Sequence, residues 1–123
     1  MPKKISSILK NKKKYCINGM LWLELKGERC FGPGRMQLLQ CIDKTGSMNR
    51  AAKEMKMSYK KAWTMISELN EQFTEPMVIT QSCGEGGGGS VLTNAARLLM
   101  NYHIEIREKF AAFLKLETIN VLK

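Results

Sequence analysis

Residues 47–73 read SMNRAAKEMKMSYKKAWTMISELNEQF, and this stretch decides the fold. Ser47 and Ser58 are side chains preferred at helix N-caps, and each precedes apolar residues that recur at helical spacing. Those residues are Met48, Ala51, Ala52 and Met55 in the first segment, and Ala62, Ile66, Leu69 and Phe73 in the second. The stretch therefore predicts two helices joined by a brief turn, with small residues where they cross, which is the pattern of a helix-turn-helix.

The exposed side of the second predicted helix carries polar and basic residues. Spacings of four and three residues place Lys60, Thr64 and Ser67 on one strip opposite the apolar side. A helix fits the major groove of DNA, which is ~12 Å wide, and presents its N-terminal residues to the base edges. The residues predicted to contact the groove are Ser58, Tyr59, Lys60, Lys61, Thr64 and Ser67. An ordinary solvated helix face is the alternative interpretation.

The first helix of a helix-turn-helix crosses the DNA backbone, so its polar residues are expected to contact phosphates. The predicted backbone contacts are Ser47, Asn49, Arg50 and Lys53. Trp63, on the second helix, lies between the buried and the exposed sides. We expect this indole to pack against a neighbouring helix rather than to contact a base.

The segment before the motif predicts a strand and a further helix. Residues 20–26 alternate apolar and polar side chains, which is typical of a half-buried strand. Gly32-Pro33-Gly34 interrupts the chain, and Pro33 suits the first turn of a helix. Leu38, Leu39 and Ile42 give this helix a buried side, and we expect it to end near Thr45 and Gly46.

The segment after the motif predicts a hairpin, the wing of a winged helix-turn-helix. Residues 77–80 and 90–92 read as strands, and GEGGGG lies between them. The wing residues expected to approach the duplex are Gly84, Glu85, Gly86, Gly87, Gly88 and Gly89. A flexible turn that binds nothing is the alternative. The GxGxxG match is a weak dinucleotide signal, because no helix follows it directly within a βαβ unit.

A long helix follows, capped by Thr93 and running to about Glu117. Its two apolar stripes offer more surface than one small domain can cover, so we expect a homodimer formed through this helix. The predicted dimerisation residues are Leu99, Met100, Ile104, Ile106, Phe110, Phe113 and Leu114. The predicted fold class is mainly α with a small β-sheet: a winged helix-turn-helix with a long C-terminal dimerisation helix at about 93–117.

Length and charge agree with this fold. A chain of 123 residues suits one compact domain, and a net charge of +9 suits a polyanionic partner. We interpret residues 1–14 as a basic N-terminal tail and residues 15–123 as the DNA-binding domain. The tail either contacts DNA or is simply solvated. Neither a signal peptide nor a membrane span is evident, so we expect a cytoplasmic protein that does not bind membranes.

The residue types needed for metal binding or catalysis are scarce. Four cysteines lack CxxC spacing and His103 is the only histidine, so we expect no metal site, no cofactor and no enzymatic activity. Four reduced thiols are the expected state in the cytoplasm, and a thiol-based sensor is the alternative.

The same residues resemble a known family. The motifs that carry the resemblance are GS at 46–47, AA at 51–52, SYKKAW at 58–63, ELN at 68–70, GGGG at 86–89 and LT at 92–93. Over roughly residues 18–115 they resemble the DNA-binding domain of ModE-type molybdate-responsive transcriptional regulators, and more distantly the N-terminal domain of LysR-type regulators. The resemblance implies a winged helix that dimerises through its last helix and places residues 59–73 in the major groove.

Three hypotheses about function follow from these patterns. The first is a homodimeric, sequence-specific regulator of transcription that binds double-stranded DNA. Because the ModE-type oxyanion-binding domains have no counterpart up to residue 123, this hypothesis expects no molybdate-sensing domain and allows for a separate effector-sensing protein. The second is a non-specific or architectural DNA binder, and the third is an interaction module that uses the last helix.

Overall fold

The computed structural model describes residues 4–11, 14–81 and 89–123. The described residues form four α-helices, two antiparallel β-hairpins and a short 3₁₀ turn. In chain order these are the 3₁₀ turn Ile5–Ile8, β1 Leu23–Leu25, β2 Glu28–Phe31, α1 Pro33–Thr45, α2 Met48–Glu54, α3 Tyr59–Gln72, β3 Val78–Thr80, β4 Ser90–Leu92 and α4 Asn94–Val121. The predicted class, a winged helix-turn-helix with a long C-terminal helix, is confirmed.

The chain divides into two compact units, one of which is Trp22–His103. This unit contains both hairpins and helices α1 to α3 around one apolar core. Leu38, Leu39 and Ile42 of α1 are fully buried, as their spacing predicts. The other core residues are Cys30, Phe31, Met36, Met48, Ala51, Ala52, Ala62, Ile66, Leu69, Met77, Val78 and Ala96.

The other unit comprises Met1–Leu21 and Ile104–Lys123. In its described part, the Ser6 hydroxyl donates to the Lys123 carbonyl at 3.0 Å, and the Ile17 amide donates to Thr118 Oγ1 at 2.8 Å. Phe110 lies so close to Gly19 that a Cβ at this glycine would be 3.0 Å from the ring. The N-terminal segment therefore packs along the second half of α4. The proposed tail boundary at residue 14 stays a prediction.

The first hairpin differs from the expected strand at residues 20–26. Strand β1 is only three residues long, and Leu23 and Leu25 are each 42% exposed rather than buried. It pairs with β2, which sequence analysis missed, across a two-residue turn in which Lys26 and Gly27 have φ of 52° and 84°. Positive φ at both turn residues is the signature of a type I′ hairpin. The core contacts come from β2 instead, because Phe31 is buried there.

Helix α1 begins and ends as its sequence predicts. Pro33 occupies the first turn, where its missing N–H costs no hydrogen bond. Gly46 ends the helix in the left-handed region, with φ 69°, and its amide donates to the Ile42 carbonyl at 2.7 Å. A glycine adopts this conformation without the steric penalty of a Cβ.

The wing hairpin is anchored to the helices at its base. The Ser90 amide donates to the Gly46 carbonyl at 2.9 Å, and the Thr93 amide donates to the Met77 carbonyl at 3.0 Å. Strand β3 begins one residue later than expected, while β4 matches its predicted bounds. The hairpin therefore has a defined position relative to the turn that precedes α2.

Helix α4 starts at the predicted cap and extends beyond the predicted end, to Val121. Thr93 Oγ1 accepts from the Ala96 amide at 3.1 Å, as an N-cap does. Arg97 in the first turn donates two hydrogen bonds to Asp43 of α1, at 2.8 and 3.2 Å. The Arg97 guanidinium lowers the pKa of the Asp43 carboxyl, so this stabilising contact is present above the ordinary aspartate pKa near 4 and is lost as acid protonates the carboxyl.

None of the helices within the described residues is long and apolar enough to cross a membrane.

Candidate nucleic-acid interface

The turn between α2 and α3 orients the second helix of the motif. Ser47 Oγ accepts from the Arg50 amide at 3.2 Å and Ser58 Oγ accepts from the Lys61 amide at 3.0 Å, so both predicted caps are confirmed. Lys56 has φ 55°, a conformation uncommon outside glycine, and the next amide, of Met57, donates to the Ala52 carbonyl at 3.0 Å. These bonds define how sharply the chain turns from one helix into the other.

Helices α2 and α3 cross at small side chains. Ala51 and Ala62 are fully buried and Ala52 is 1% exposed. Alanines at a crossing let the two backbones approach closely, and Ile66 and Leu69 bury the remainder of the same side of α3. The opposite side of α3 is consequently turned away from the core.

That outward side of α3 carries the residues predicted to contact the groove. Tyr59, Lys60, Lys61 and Thr64 are exposed, and Ser67 is half-buried. The side-chain oxygen of Ser58 is occupied as a cap, which restricts this residue to a structural role or to donating its hydroxyl hydrogen. The first-turn amides of a helix lack partners within the helix, so the N-terminus of α3 also favours an anion.

Four of the five basic residues in the stretch 47–73 lie on α2 and α3, and their charges are available. Arg50, Lys53, Lys60 and Lys61 are exposed, and no ion pair within the described part of the chain engages any of them. Asn49 is exposed beside Arg50, whereas Ser47 is half-buried and acts as the α2 cap. The exposed surface of α2 and the N-terminal half of α3 is therefore strongly positive.

Helix α3 carries two acidic residues, Glu68 and Glu71, and the first of them is paired with a cation of another helix. Glu68 pairs with Arg35 of α1. The same guanidinium donates to Gln72 Oε1 at 2.9 Å and to the Cys30 carbonyl at 3.0 Å. Arg35 thus ties α3 to α1 and β2, a role that sequence analysis missed because its partners on α3, Glu68 and Gln72, are more than 30 residues distant along the chain.

Trp63 is not packed as expected. The prediction placed its indole against a neighbouring helix, but 53% of the residue is exposed. It lies one turn after Tyr59, which is 50% exposed. The helical pattern correctly located Trp63 at the edge of the buried side, but the described elements leave about half of the residue uncovered there.

Asn70 is a second residue whose role sequence analysis missed. Its Oδ1 accepts from the amides of Met77 and Val78 at 2.8 and 3.2 Å, and its Nδ2 donates to the Val78 carbonyl at 3.1 Å. One side-chain amide therefore holds the start of β3 against α3. Asn70 was noticed only as part of the ELN motif, since its spacing gives no signal for these bonds.

Most of the predicted wing lies outside the described residues. Gly84, Glu85, Gly86, Gly87 and Gly88 belong to the segment at 82–88, so their predicted contact with the duplex stays a prediction. Gly89 is described, and its carbonyl accepts from the Gln81 amide at 2.8 Å. A Cβ at Gly89 would lie 3.4 Å from the Gly46 carbonyl oxygen, which is ordinary van der Waals contact.

The predicted dimerisation residues fall into two groups. Several are half-buried within the chain: Leu99 and Met100 pack against the core, Phe110 covers Gly19, and Ile106 and Leu114 are partly covered. Ile104 and Phe113 are exposed, at 42% and 55%. Leu116 and Ile119, which sequence analysis omitted, are exposed on the same half of α4 as Phe113.

Potential metal ligands and three free cysteines, Cys16, Cys30 and Cys41, can be located among the described residues. Among the described residues no group of three or more His, Cys, Asp or Glu side chains could hold a metal ion. Burial raises the pKa of the Cys30 thiol, and burial together with Glu54 raises that of Cys41. A raised pKa keeps these two thiols protonated and unreactive near neutral pH.

His103 is buried and contacts the Phe31 ring edge-on, with centroids 5.2 Å apart.

Comparison with known proteins agrees with this geometry. Residues 34–97, from the first turn of α1 to the first turn of α4, match the family described as bacterial regulatory helix-turn-helix protein, lysR family. The chain belongs to this family. Its members are described as bacterial regulatory helix-turn-helix proteins, and one relative is a DNA-binding transcriptional regulator.

Individual relatives add a narrower similarity. The chain is similar to the transcriptional regulator ModE of Haemophilus influenzae (37% identical over 95 residues, 76% of this chain and 37% of the relative). It is similar to the DNA-binding transcriptional dual regulator ModE of Escherichia coli K12 (37% over 93 residues, 73% and 36%) and to the molybdenum transport protein ModE of Azotobacter vinelandii (42% over 66 residues, 54% and 24%). The chain therefore spans between about a quarter and just over a third of these relatives.

Proposed function

We propose that this chain is a sequence-specific regulator of transcription that acts in the cytoplasm and binds double-stranded DNA as a homodimer. The observation that carries the proposal is the outward side of α3. It combines exposed Lys60 and Thr64 with a capped helix N-terminus, while Ala62 and Ile66 anchor the opposite side in the core. A rigidly held helix with polar side chains outward is what reading the major groove requires.

The proposal gives the two helices of the motif different roles. Lys60 can donate to guanine O6 and N7, and the Thr64 hydroxyl and methyl can each contact a base edge. Arg50 and Lys53 of α2 are suited to phosphates, which position the protein without specifying sequence. Because phosphate binding releases counterions, these two residues should set the salt dependence of the affinity.

Base reading by α3 is tested by selecting bound duplexes from a random pool and then measuring variants on the selected duplex. Lys60→Ala should weaken binding to the selected duplex about tenfold and to a random duplex much less, with Thr64→Ala having a smaller effect of the same kind. Lys109→Ala removes the same charge from an exposed position on α4, outside the motif, and serves as the control. Equal losses on both duplexes would remove Lys60 from base reading.

Phosphate contact by α2 is tested through the salt dependence of binding. Arg50→Ala should lower affinity for every duplex and reduce the slope of log K against log salt by about one. Arg107→Ala, the same substitution outside the motif, should leave the slope unchanged. If the Arg50→Ala slope equals that of the unmodified protein, Arg50 contacts no phosphate.

Dimerisation rests on the exposed apolar residues of α4. Phe113, Leu116 and Ile119 expose apolar surface on the second half of this helix and Ile104 exposes it on the first half, and such surface favours burial in an interface. A symmetric dimer would place its two α3 helices on half-sites about 34 Å apart, or a multiple of that distance. The involvement of a separate effector-sensing protein stays a prediction.

A further inference from the structure

Two large aromatic side chains are exposed on the proposed reading helix. Tyr59 and Trp63 expose about half of their surfaces and are four residues apart, so they are neighbours on one side of α3. Both belong to the N-terminal half of the helix, which in this motif enters the major groove. Trp63 is three residues after Lys60 and therefore its neighbour on the helix surface, which places apolar area directly beside a cation.

Folding does not account for the position of these rings. The core contacts of α3 are made by Ala62, Ile66 and Leu69, and Trp63 is absent from the residues packed against the core. A half-exposed indole forgoes burial of apolar area that would stabilise the fold. Asn70 lies seven residues after Trp63 on the same side of the helix. Unlike the Trp63 side chain, the Asn70 side chain is held by hydrogen bonds to the start of β3. About half of the Trp63 surface is thus left uncovered by the described elements.

The chemistry of the major groove identifies an apolar feature that such a surface would contact. Hydrogen-bond donors and acceptors line the groove, and the 5-methyl group of thymine is the apolar feature on its base edges. A hydrocarbon or aromatic surface gains by excluding water from this methyl group. Stacking between bases is not open to these rings, because an intact duplex keeps its bases stacked and paired.

We propose that Trp63, with Tyr59 beside it, determines sequence specificity by packing against thymine methyl groups in the major groove. This inference rests on the proposed function and extends it: Lys60 and Thr64 read polar edges, whereas the aromatic pair reads the presence of a methyl group. The binding site should then contain thymine at positions facing Tyr59 and Trp63.

The test replaces each thymine of the selected duplex in turn with deoxyuridine, which lacks only the methyl group. Binding is measured by fluorescence anisotropy for the unmodified protein and for Trp63→Ala. For the unmodified protein, at least one substitution should weaken binding about fourfold, the value expected for one buried methyl group. At that same position Trp63→Ala should show no further loss, since the partner of the methyl group is already gone.

Two further variants make the result independent of folding. Trp63→Phe keeps an aromatic ring and should keep most of the sensitivity to deoxyuridine. Trp22→Ala, the same substitution at the chain's other tryptophan, should behave like the unmodified protein. Circular dichroism of each variant verifies that the helices form.

The inference is overturned if Trp63→Ala weakens selected and random duplexes equally, which would indicate contact with the sugar–phosphate backbone. It is also overturned if every deoxyuridine substitution affects Trp63→Ala as much as the unmodified protein. Failure of the underlying proposal looks different: the random pool would yield no consensus, and the unmodified protein would bind all duplexes with one affinity.

Discussion

Replacing Asn70 with alanine is expected to lower the free energy of unfolding by about 2–3 kcal/mol. The Asn70 side chain makes three hydrogen bonds to the backbone of Met77 and Val78, which are both buried. Its removal leaves two amides and a carbonyl without these partners in a place that water reaches poorly. Unsatisfied buried groups cost more than a hydrogen bond gains, so the loss should exceed that of a typical surface substitution.

The measurement is urea unfolding at one fixed protein concentration, because dimerisation would make apparent stability depend on concentration. Asn101→Ala is the matched control: it makes the same change at an exposed helical position on α4 and should change stability by less than about 0.5 kcal/mol. Amide exchange should also accelerate at Met77 and Val78. Unchanged stability together with protected amides would show that Asn70 does not anchor β3.

Replacing Phe113 with glutamate is expected to convert the proposed dimer to a monomer and to weaken binding to a two-half-site duplex roughly 100-fold. Phe113 is 55% exposed on α4, so a charge there is tolerated by the single chain but not by an apolar interface. Without the partner, the second α3 helix loses its high effective concentration at the second half-site, and avidity of this order disappears.

Sedimentation equilibrium measures whether Phe113→Glu is a monomer, and DNA titration measures how much its binding to the two-half-site duplex is weakened. Arg107→Glu puts the same carboxylate at an exposed polar position on another side of α4, and it should leave the mass unchanged. Binding of Phe113→Glu to a single half-site should match that of the unmodified protein, because α3 is untouched. A dimeric Phe113→Glu would remove this residue from the interface, and a monomeric unmodified protein would refute dimerisation itself.

Much of the candidate interface was predictable because its signals are local. The Ser47 and Ser58 caps, the alanines at the helix crossing and the glycine that ends α1 each act within a few residues. Thr93 likewise caps α4 where expected. Such features depend on the chain near them, so one sequence suffices to place them.

The errors lie where exposure or pairing depends on distant residues. The alternation at residues 20–26 predicted a buried face, yet Leu23 and Leu25 are exposed, because Phe31 of β2 occupies the core. Periodicity places Trp63 at the edge of the buried side, but it cannot show whether another element covers that edge. Periodicity likewise cannot show which apolar residues of α4 are covered: Phe110 lies against Gly19 of the N-terminal segment, whereas Phe113 is 55% exposed.

The sequence by itself therefore determined the helix-turn-helix, its caps and the polar strip at Lys60 and Thr64, since these follow from spacing along one helix and from side chains that bond to adjacent backbone. Only the tertiary structure decided that Asn70 holds the wing, that Arg35 neutralises Glu68, and that Trp63 is exposed beside Lys60. Each of these depends on which segments meet in space, and that is set by the packing of the whole core rather than by any local pattern.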